Sequence, residues 1–207
     1  MIGNLTFNVA QLQKEAVGAT RTGQVVAGLY QLVPEIEEMA SPSALPADGD
    51  LRQSGTDAGR REVGEPETSE PVLTGSVRLM HTQGGVLVQG HLHAQATLSC
   101  SRCLEPVGVP LEIDLEEIFT PTIDIVTGRP LQNEEEDRAL WIDEHHILNL
   151  SEVLRQDVLL TLPMHVLCRD DCRGLCPNCG QNLNQGSCNC TPEPDPRWTA
   201  LLDLLKE

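Results

Sequence analysis

The chain has 207 residues, enough for one substantial hydrophobic core and a small satellite. Aromatic residues make up only 2% of it, so that core must be aliphatic. The net charge of −17, from 14 Lys+Arg against 31 Asp+Glu, repels phosphate backbones and attracts basic partners, which argues against a broad nucleic-acid-binding face and for weak or indirect contact with RNA.

The opening MIGNLTFNVA has no basic n-region and no apolar run long enough for a signal peptide. No later segment reaches the ~18 uninterrupted apolar residues of a membrane span. The expectation is a soluble, cytoplasmic protein with no membrane contact, in which thiols stay reduced and clustered cysteines mean metal or catalysis rather than disulfides.

In chain order, a short helix is predicted over Val9 to Ala16. Glu35 to Glu70 holds ten acids and three arginines among Pro, Gly, Ser and Thr, can bury little, and reads as a disordered acidic insertion at 35–70. The β signals follow. Val72 to Met80 alternates, Gln83-Gly84-Gly85 makes a turn, and Val86 to Leu98 alternates again. The second run is read with Val86, Val88, His91, His93, Gln95 and Thr97 on one face, and Leu87, Gly90, Leu92, Ala94, Ala96 and Leu98 on the other. His91 and His93 then share a face and are read as solvent-facing, since no third ligand accompanies them. A further strand runs from Val107 to Phe119, where Leu111, Ile113 and Leu115 alternate with Glu112, Asp114 and Glu116. Those carboxylates are the first part of an acidic stretch, Glu112 to Glu144, that includes Glu134-Glu135-Glu136-Asp137 and reads as a solvated face or a docking face for a basic partner.

Asn149-Leu150-Ser151-Glu152 has an Asn cap and a capping-box glutamate, and Leu150 to Leu162 is apolar enough to be a largely buried helix. Asp195-Pro196 begins a last helix, 195–207, with Trp198, Leu201, Leu202 and Leu205 on its apolar face. The pattern makes an α+β protein: an antiparallel meander with a few helices, a core domain from 1–34 and 71–167, and a zinc-ribbon-like segment at 168–192. No Walker A, G-x-G-x-x-G or G-x-S-x-G sequence is present, and no nucleophile or acid/base constellation points to an enzyme.

The chemistry lies in the cysteines. Cys176-Pro-Asn-Cys179-Gly is a tight C-x-x-C knuckle, and Cys188-Asn-Cys190 adds two thiols after a short polar loop. Four soft thiolates on such a spacing select tetrahedral Zn²⁺. Cys100-Ser-Arg-Cys103 falls on a hairpin tip, and Cys168-x-x-x-Cys172 follows the helix stopped by Pro163. Eight cysteines in four close pairs fit two closed four-thiolate sites, 100/103/168/172 and 176/179/188/190, with structural zinc in each. A partition into 168/172/176/179 and 100/103/188/190, and a single-zinc arrangement with Cys100 and Cys103 merely in the core, stay open on spacing alone.

The segments FNVAQLQKEAVGATRTGQ, LTGSVRLMHTQGGVLVQGHLHAQATLSCSRCLEPV and NLSEVLRQDVLLTLPMHVLCRDDCRGLCPNCGQNLN together resemble the YceD family of large ribosomal RNA subunit accumulation proteins. The resemblance implies a non-enzymatic factor needed for 23S ribosomal RNA accumulation and large-subunit (50S) assembly. It places Cys100 and Cys103 in the family's C-x-R-C, and Cys168 and Cys172 where other members keep metal-capable residues. The CPNCG…CNC segment occurs in only some members and is implied to be a stabilising appendage. The partner expected from charge is a basic large-subunit ribosomal protein or a pre-50S particle. The competing classes are a metal-dependent RNA-processing hydrolase, which needs an open metal site, and a zinc- or redox-sensing module, which needs exposed thiolates of low pKa.

Overall fold

A computed structural model describes residues 4–40, 70–131 and 137–190. Two compact units divide the chain, one within Met1–Leu98 and Gly108–Met164, the other formed by Ser99–Val107 with His165–Glu207. The CSRC tip thus leaves the core domain that the sequence assigns it to and joins the cysteine-rich segment, because its thiols meet those of Cys168 and Cys172.

The first unit is built on a five-stranded sheet in the order β2-β3-β4-β5-β6, with β2 Thr20–Gly28, β3 Val72–Thr82, β4 Gly85–Ser99, β5 Pro106–Pro121 and β6 Trp141–Ile142. β2 with β3, and β3 with β4, pair antiparallel, as a meander requires. β6 adds a parallel pairing at one end of β5, through Thr120↔Trp141 and Pro121↔Ile142, which makes the sheet mixed. A second, two-stranded sheet joins β1 Thr6–Asn8 to β7 Ile147–Asn149. The result is an α+β fold.

One face of the sheet is buried. Val25 and Ala27 on β2, Leu73, Val77 and Leu79 on β3, and Leu111, Ile113, Leu115 and Phe119 on β5 are all sequestered. On β4 the buried set is Val86, Val88, Leu92, Ala94, Ala96 and Leu98, every one at an even position. This corrects the sequence reading, which put Val86 and Val88 on the histidine face: the period of two runs unbroken through Gln89-Gly90, and the partly exposed Leu87 is the apolar residue that misled it. The opposite face is polar and open, and carries His91, His93, Gln95, Glu112, Asp114 and Glu116.

The helices are short. α1 Ala10–Lys14 begins where Asn8 Oδ1 accepts the Ala10 amide at 3.1 Å, and ends sooner than the predicted Ala16 because Glu15 turns extended. α2 Leu29–Leu32 is followed by α3 Pro34–Ala40. α3 occupies the first residues of the stretch expected to be disordered from Glu35. Ile36 is fully buried there, and the Glu35 carboxylate accepts a hydrogen bond from Arg155. Residues 41–69 of that stretch, Glu134 to Glu136, and the expected helix at 195–207 lie outside the described residues.

α4 Ser151–Thr161 packs against α2 and buries Val153, Leu154 and Val158. Asn149 Oδ1 caps it by accepting from the Ser151 amide at 2.9 Å and its hydroxyl at 2.7 Å. The reciprocal half of the capping box is absent, since Glu152 pairs with Arg155 at 3.3 Å instead. Nor is the helix buried all round. Leu160 is 83% exposed, because three successive residues spaced 100° apart cannot all face one core. No described helix is long and apolar enough to cross a membrane.

Candidate metal centres

All eight cysteines are free and fall into two groups. The sulfurs of Cys100, Cys103, Cys168 and Cys172 all lie within 4.8 Å of one another, and so do those of Cys176, Cys179, Cys188 and Cys190. Both groups belong to the second unit.

Each group starts from the same turn. In Cys100-Ser-Arg-Cys103-Leu104-Glu105 the Leu104 amide donates to the Cys100 carbonyl at 3.0 Å, and the Cys100 amide to the Glu105 carbonyl at 2.9 Å. In Cys176-Pro-Asn-Cys179-Gly180-Gln181 the Gly180 amide donates to the Cys176 carbonyl at 2.9 Å, and the Cys176 amide to the Gln181 carbonyl at 2.8 Å. This folding brings two amides onto the first sulfur of each pair: those of Arg102 and Cys103 onto Cys100, and those of Asn178 and Cys179 onto Cys176. The fifth residue must adopt positive φ, 73° at Gly180 and 61° at Leu104. Glycine does so freely, whereas a leucine is strained by roughly 1–2 kcal/mol. Leu104→Gly relieves that strain against about 0.4–1 kcal/mol of added unfolded-chain entropy. It is therefore expected to hold or raise the melting temperature of the protein; a clear fall would show that the half-exposed Leu104 side chain packs.

The remaining ligands of the first group come from the chain after α4. The Ser101 amide donates to the Val166 carbonyl at 2.8 Å, and the Cys168 amide to Cys100 Sγ at 3.4 Å. Arg102 reaches over with Nη1 to the Cys172 carbonyl at 2.9 Å. Cys100 Sγ then stands 3.9 Å from Cys172 Sγ, and Cys103 Sγ 3.5 Å from Cys168 Sγ. A regular tetrahedron of sulfurs around Zn²⁺ at ~2.3 Å has edges of about 3.8 Å. These separations bracket that edge, so the donor set fits the ion.

A shell of polar side chains fixes the two turns. Asn184 Nδ2 donates to Cys172 Sγ at 3.3 Å, and Glu105 accepts from Asn182 at 2.9 Å and Gln185 at 2.8 Å. Sequence reasoning named none of Arg102, Glu105, Asn182 and Asn184. The available signal was an arginine inside a C-x-x-C and a glutamate two residues after it, charges that the turn itself could satisfy.

The thiol acidities follow from this geometry. Burial pushes Cys100 up, but the amides of Cys103, Arg102 and Cys168 outweigh it and bring the thiol down to about 6. Burial and the neighbouring thiols push Cys168 up to about 12. In the second group the amides of Cys179 and Asn178 lower Cys176 to about 6, while Cys179, together with burial, raises Cys190 to about 12. In each group backbone amides lower one thiol, while burial and the neighbouring thiols raise another. Four sulfur anions so close need a cation among them, and a soft, all-sulfur, four-donor set is what tetrahedral zinc takes. The groups differ in cover: Cys100, Cys103 and Cys172 are buried, whereas Cys179 and Cys190 are exposed.

The histidines do other work. His91 Nδ1 meets Asp114 Oδ1 at 2.5 Å, and His93 Nε2 meets Thr74 Oγ1 at 3.1 Å, both on the open sheet face. Among the described residues neither belongs to a metal-ligating group. The Asp114 hydrogen bond raises His91 above 6.5, so this pair adds stability below pH 6.5 and loses it as pH rises through the raised value. An NMR titration is expected to place His91 above 6.5, and Asp114→Asn to bring it back down.

A family model described as "Large ribosomal RNA subunit accumulation protein YceD" matches residues 88–205, more than half of the chain, and spans both cysteine groups. The chain belongs to the YceD family. An uncharacterized protein of Mycobacterium tuberculosis is 34% identical over 129 residues, covering 62% of this chain and 60% of its own length. The Zea mays "Large ribosomal RNA subunit accumulation protein YCED homolog 1, chloroplastic" is 27% identical over 178 residues, covering 75% of this chain and 59% of its own. The Bacillus subtilis uncharacterized protein YlbN is 30% identical over 120 residues, covering 56% and 64%. The chain thus spans about 60% of the length of the first of these relatives. No solved structure matches it.

Proposed function

We propose that this protein is a non-catalytic factor in large-subunit ribosome biogenesis that supports accumulation of 23S ribosomal RNA, and that each cysteine group holds one structural zinc ion. Membership of a family described by large ribosomal RNA subunit accumulation carries the reading. The site chemistry agrees with it. A Zn²⁺ bound by four thiolates has no open position for water or substrate, so it orders chain rather than activates a nucleophile. Bound there, zinc supplies the cation that lets all four sulfurs ionise together. Cys100, Cys103, Cys168 and Cys172 would tie the β4–β5 tip to the segment after α4, and Cys176, Cys179, Cys188 and Cys190 would close the terminal loop on itself.

Charge selects the kind of partner. At −17 the chain is poorly suited to gripping bare RNA and well suited to a basic ribosomal protein, free or within a pre-50S particle. Depleting the protein is expected to lower the ratio of 23S to 16S RNA, and the tagged protein to cosediment with large-subunit precursors. An unchanged ratio, with the protein confined to the top of the gradient, would refute the assignment. Elemental analysis is expected to find two zinc ions per chain.

A further inference from the structure

The sheet has two edges, and they are treated differently. At the β2 edge Asn4 Nδ2 donates to the Gln24 carbonyl at 3.4 Å and the Phe7 ring packs against Gly23, so the N-terminal segment lies over that strand. At the other edge β6 pairs with β5 only at Thr120 and Pro121. From Gly108 to Ile118 no described strand lies on the outer side of β5. Pro110, which has no N–H to offer a ladder, stands in this strand as the composition of an edge allows. After it, 111–118 contain no proline, and alternate residues turn an N–H and a C=O outward.

An open edge is a template for another strand, and proteins blunt such edges with charge or proline. Here the charge has one sign. Glu112, Asp114 and Glu116 stand in a row on the polar face of β5, and the Asp114 side chain is 88% exposed. Only Asp114 is paired, to His91; neither Glu112 nor Glu116 is in an ion pair among the described residues. Asp114 and Glu116 line a shallow groove of about 480 Å³ across the open sheet, together with Gln89, His91 and, from β3, the cation Arg78. A second copy of this chain pairing at the same edge would set carboxylates against carboxylates and be repelled. A strand with lysine or arginine at every second position would set a cation over each acid while its backbone completes the ladder.

We propose that the outer edge of β5, over 111–118, takes an extended basic segment of another protein as an added strand, with cations at alternate positions over Glu112, Asp114 and Glu116. This rests on the reading above that the partner is a basic protein, and supplies the surface and mode of recognition. Backbone hydrogen bonds give affinity with little regard to sequence, while the acid row admits basic strands and rejects neutral or acidic ones. Opposite charges on the two strands also make encounter fast and salt-sensitive.

The test uses the full zinc-loaded chain and three capped synthetic peptides of about nine residues, long enough to span ~30 Å of strand. One alternates lysine with valine or threonine. The second has glutamate for lysine. The third keeps the lysines but is N-methylated at alternate residues, so it has the charge without the ladder. The first is expected to bind at low salt and to slow amide exchange at 111–118. The glutamate and N-methylated peptides, and the first peptide against a Glu112→Lys/Asp114→Lys/Glu116→Lys variant, are each expected to bind at least about tenfold more weakly. Equal binding of the N-methylated peptide would reduce the effect to bulk charge and overturn strand addition, as would protection appearing elsewhere or no binding at all. Circular dichroism of the variant checks that it folds. Sedimentation separates the two readings. If the wild type cosediments with large-subunit precursors and the triple variant does so equally, the edge proposal falls while the assembly role stands. If the wild type does not cosediment, the assembly role falls whatever the peptides do.

Discussion

Cys100→Ser is expected to unfold 99–107 and 165–175, whereas Cys188→Ser loosens only 176–190. Cys100 is fully buried, its sulfur accepts amides from both sides of the site, and its group joins positions sixty-five residues apart, Cys103 to Cys168. Serine cannot replace a thiolate as a soft ligand, and zinc binding in small metallo-domains contributes about 10–16 kcal/mol of folding free energy. Without it the described residues of 99–107 and 165–175 keep a few hydrogen bonds and a small cluster of Val107, Leu167 and Leu175, far too little core to stand alone. Cys188 closes a short, largely exposed loop, and its loss leaves the first group intact. Each variant is expected to carry one zinc instead of two. Hydrogen exchange separates them: lost protection over 99–107 and 165–175 for Cys100→Ser, over 176–190 for Cys188→Ser. No residue of the first unit supplies a sulfur, so its sheet amides are expected to keep their protection in both. Identical exchange patterns, or two zinc ions retained by Cys100→Ser, would show that the sulfurs are grouped otherwise in solution.

What was legible in the sequence follows from how local the cause is. The four close cysteine pairs were readable because they are local and C-x-x-C fixes a turn within six residues; which pairs share a group stayed open until the fold brought their sulfurs together. The alternation of Leu111, Ile113 and Leu115 with acids gave β5 directly, since a half-buried strand must show a period of two. Where the cause is tertiary, the reading slipped. Glu35 and Glu37 mask Ile36, whose burial makes α3 part of the fold, and nothing local announces that Arg155 will receive the Glu35 carboxylate. β6 is two residues long and owes its existence to its neighbour on β5. Val158, Leu159 and Leu160 look equally apolar, and only helix geometry decides that Leu160 faces outward. The polar shell of Arg102, Glu105, Asn182 and Asn184 depends on two turns meeting, which composition does not state.

Two adjacent glycines make the same point as an experiment. Gln83-Gly84-Gly85 reads as a turn, and the sequence gives no reason to prefer one glycine over the other. In the folded chain β3 and β4 are joined through a two-residue link, Gln83-Gly84, with Thr82 opposite Gly85. A Cβ on Gly84 would meet nothing within 4 Å. A Cβ on Gly85 would lie 2.1 Å from the Phe119 carbonyl oxygen and 3.2 Å from Thr120 Cα, both backbone atoms of β5 that cannot swing aside as a side chain would. Gly85 also sits at φ 147°, in a region that is essentially glycine's alone and costs other residues about 1–3 kcal/mol. Overpacking adds typically 1–3 kcal/mol more. Gly85→Ala is therefore expected to remove several kcal/mol of the ~5–15 kcal/mol that holds a domain together, while Gly84→Ala stays within about 0.5 kcal/mol of the parent. Urea unfolding followed on the first unit checks both: a large drop in midpoint for Gly85→Ala at unchanged slope, and coincident curves for Gly84→Ala and the parent. Equal midpoints for the two variants would mean that β5 does not approach the turn as closely as the backbone geometry requires.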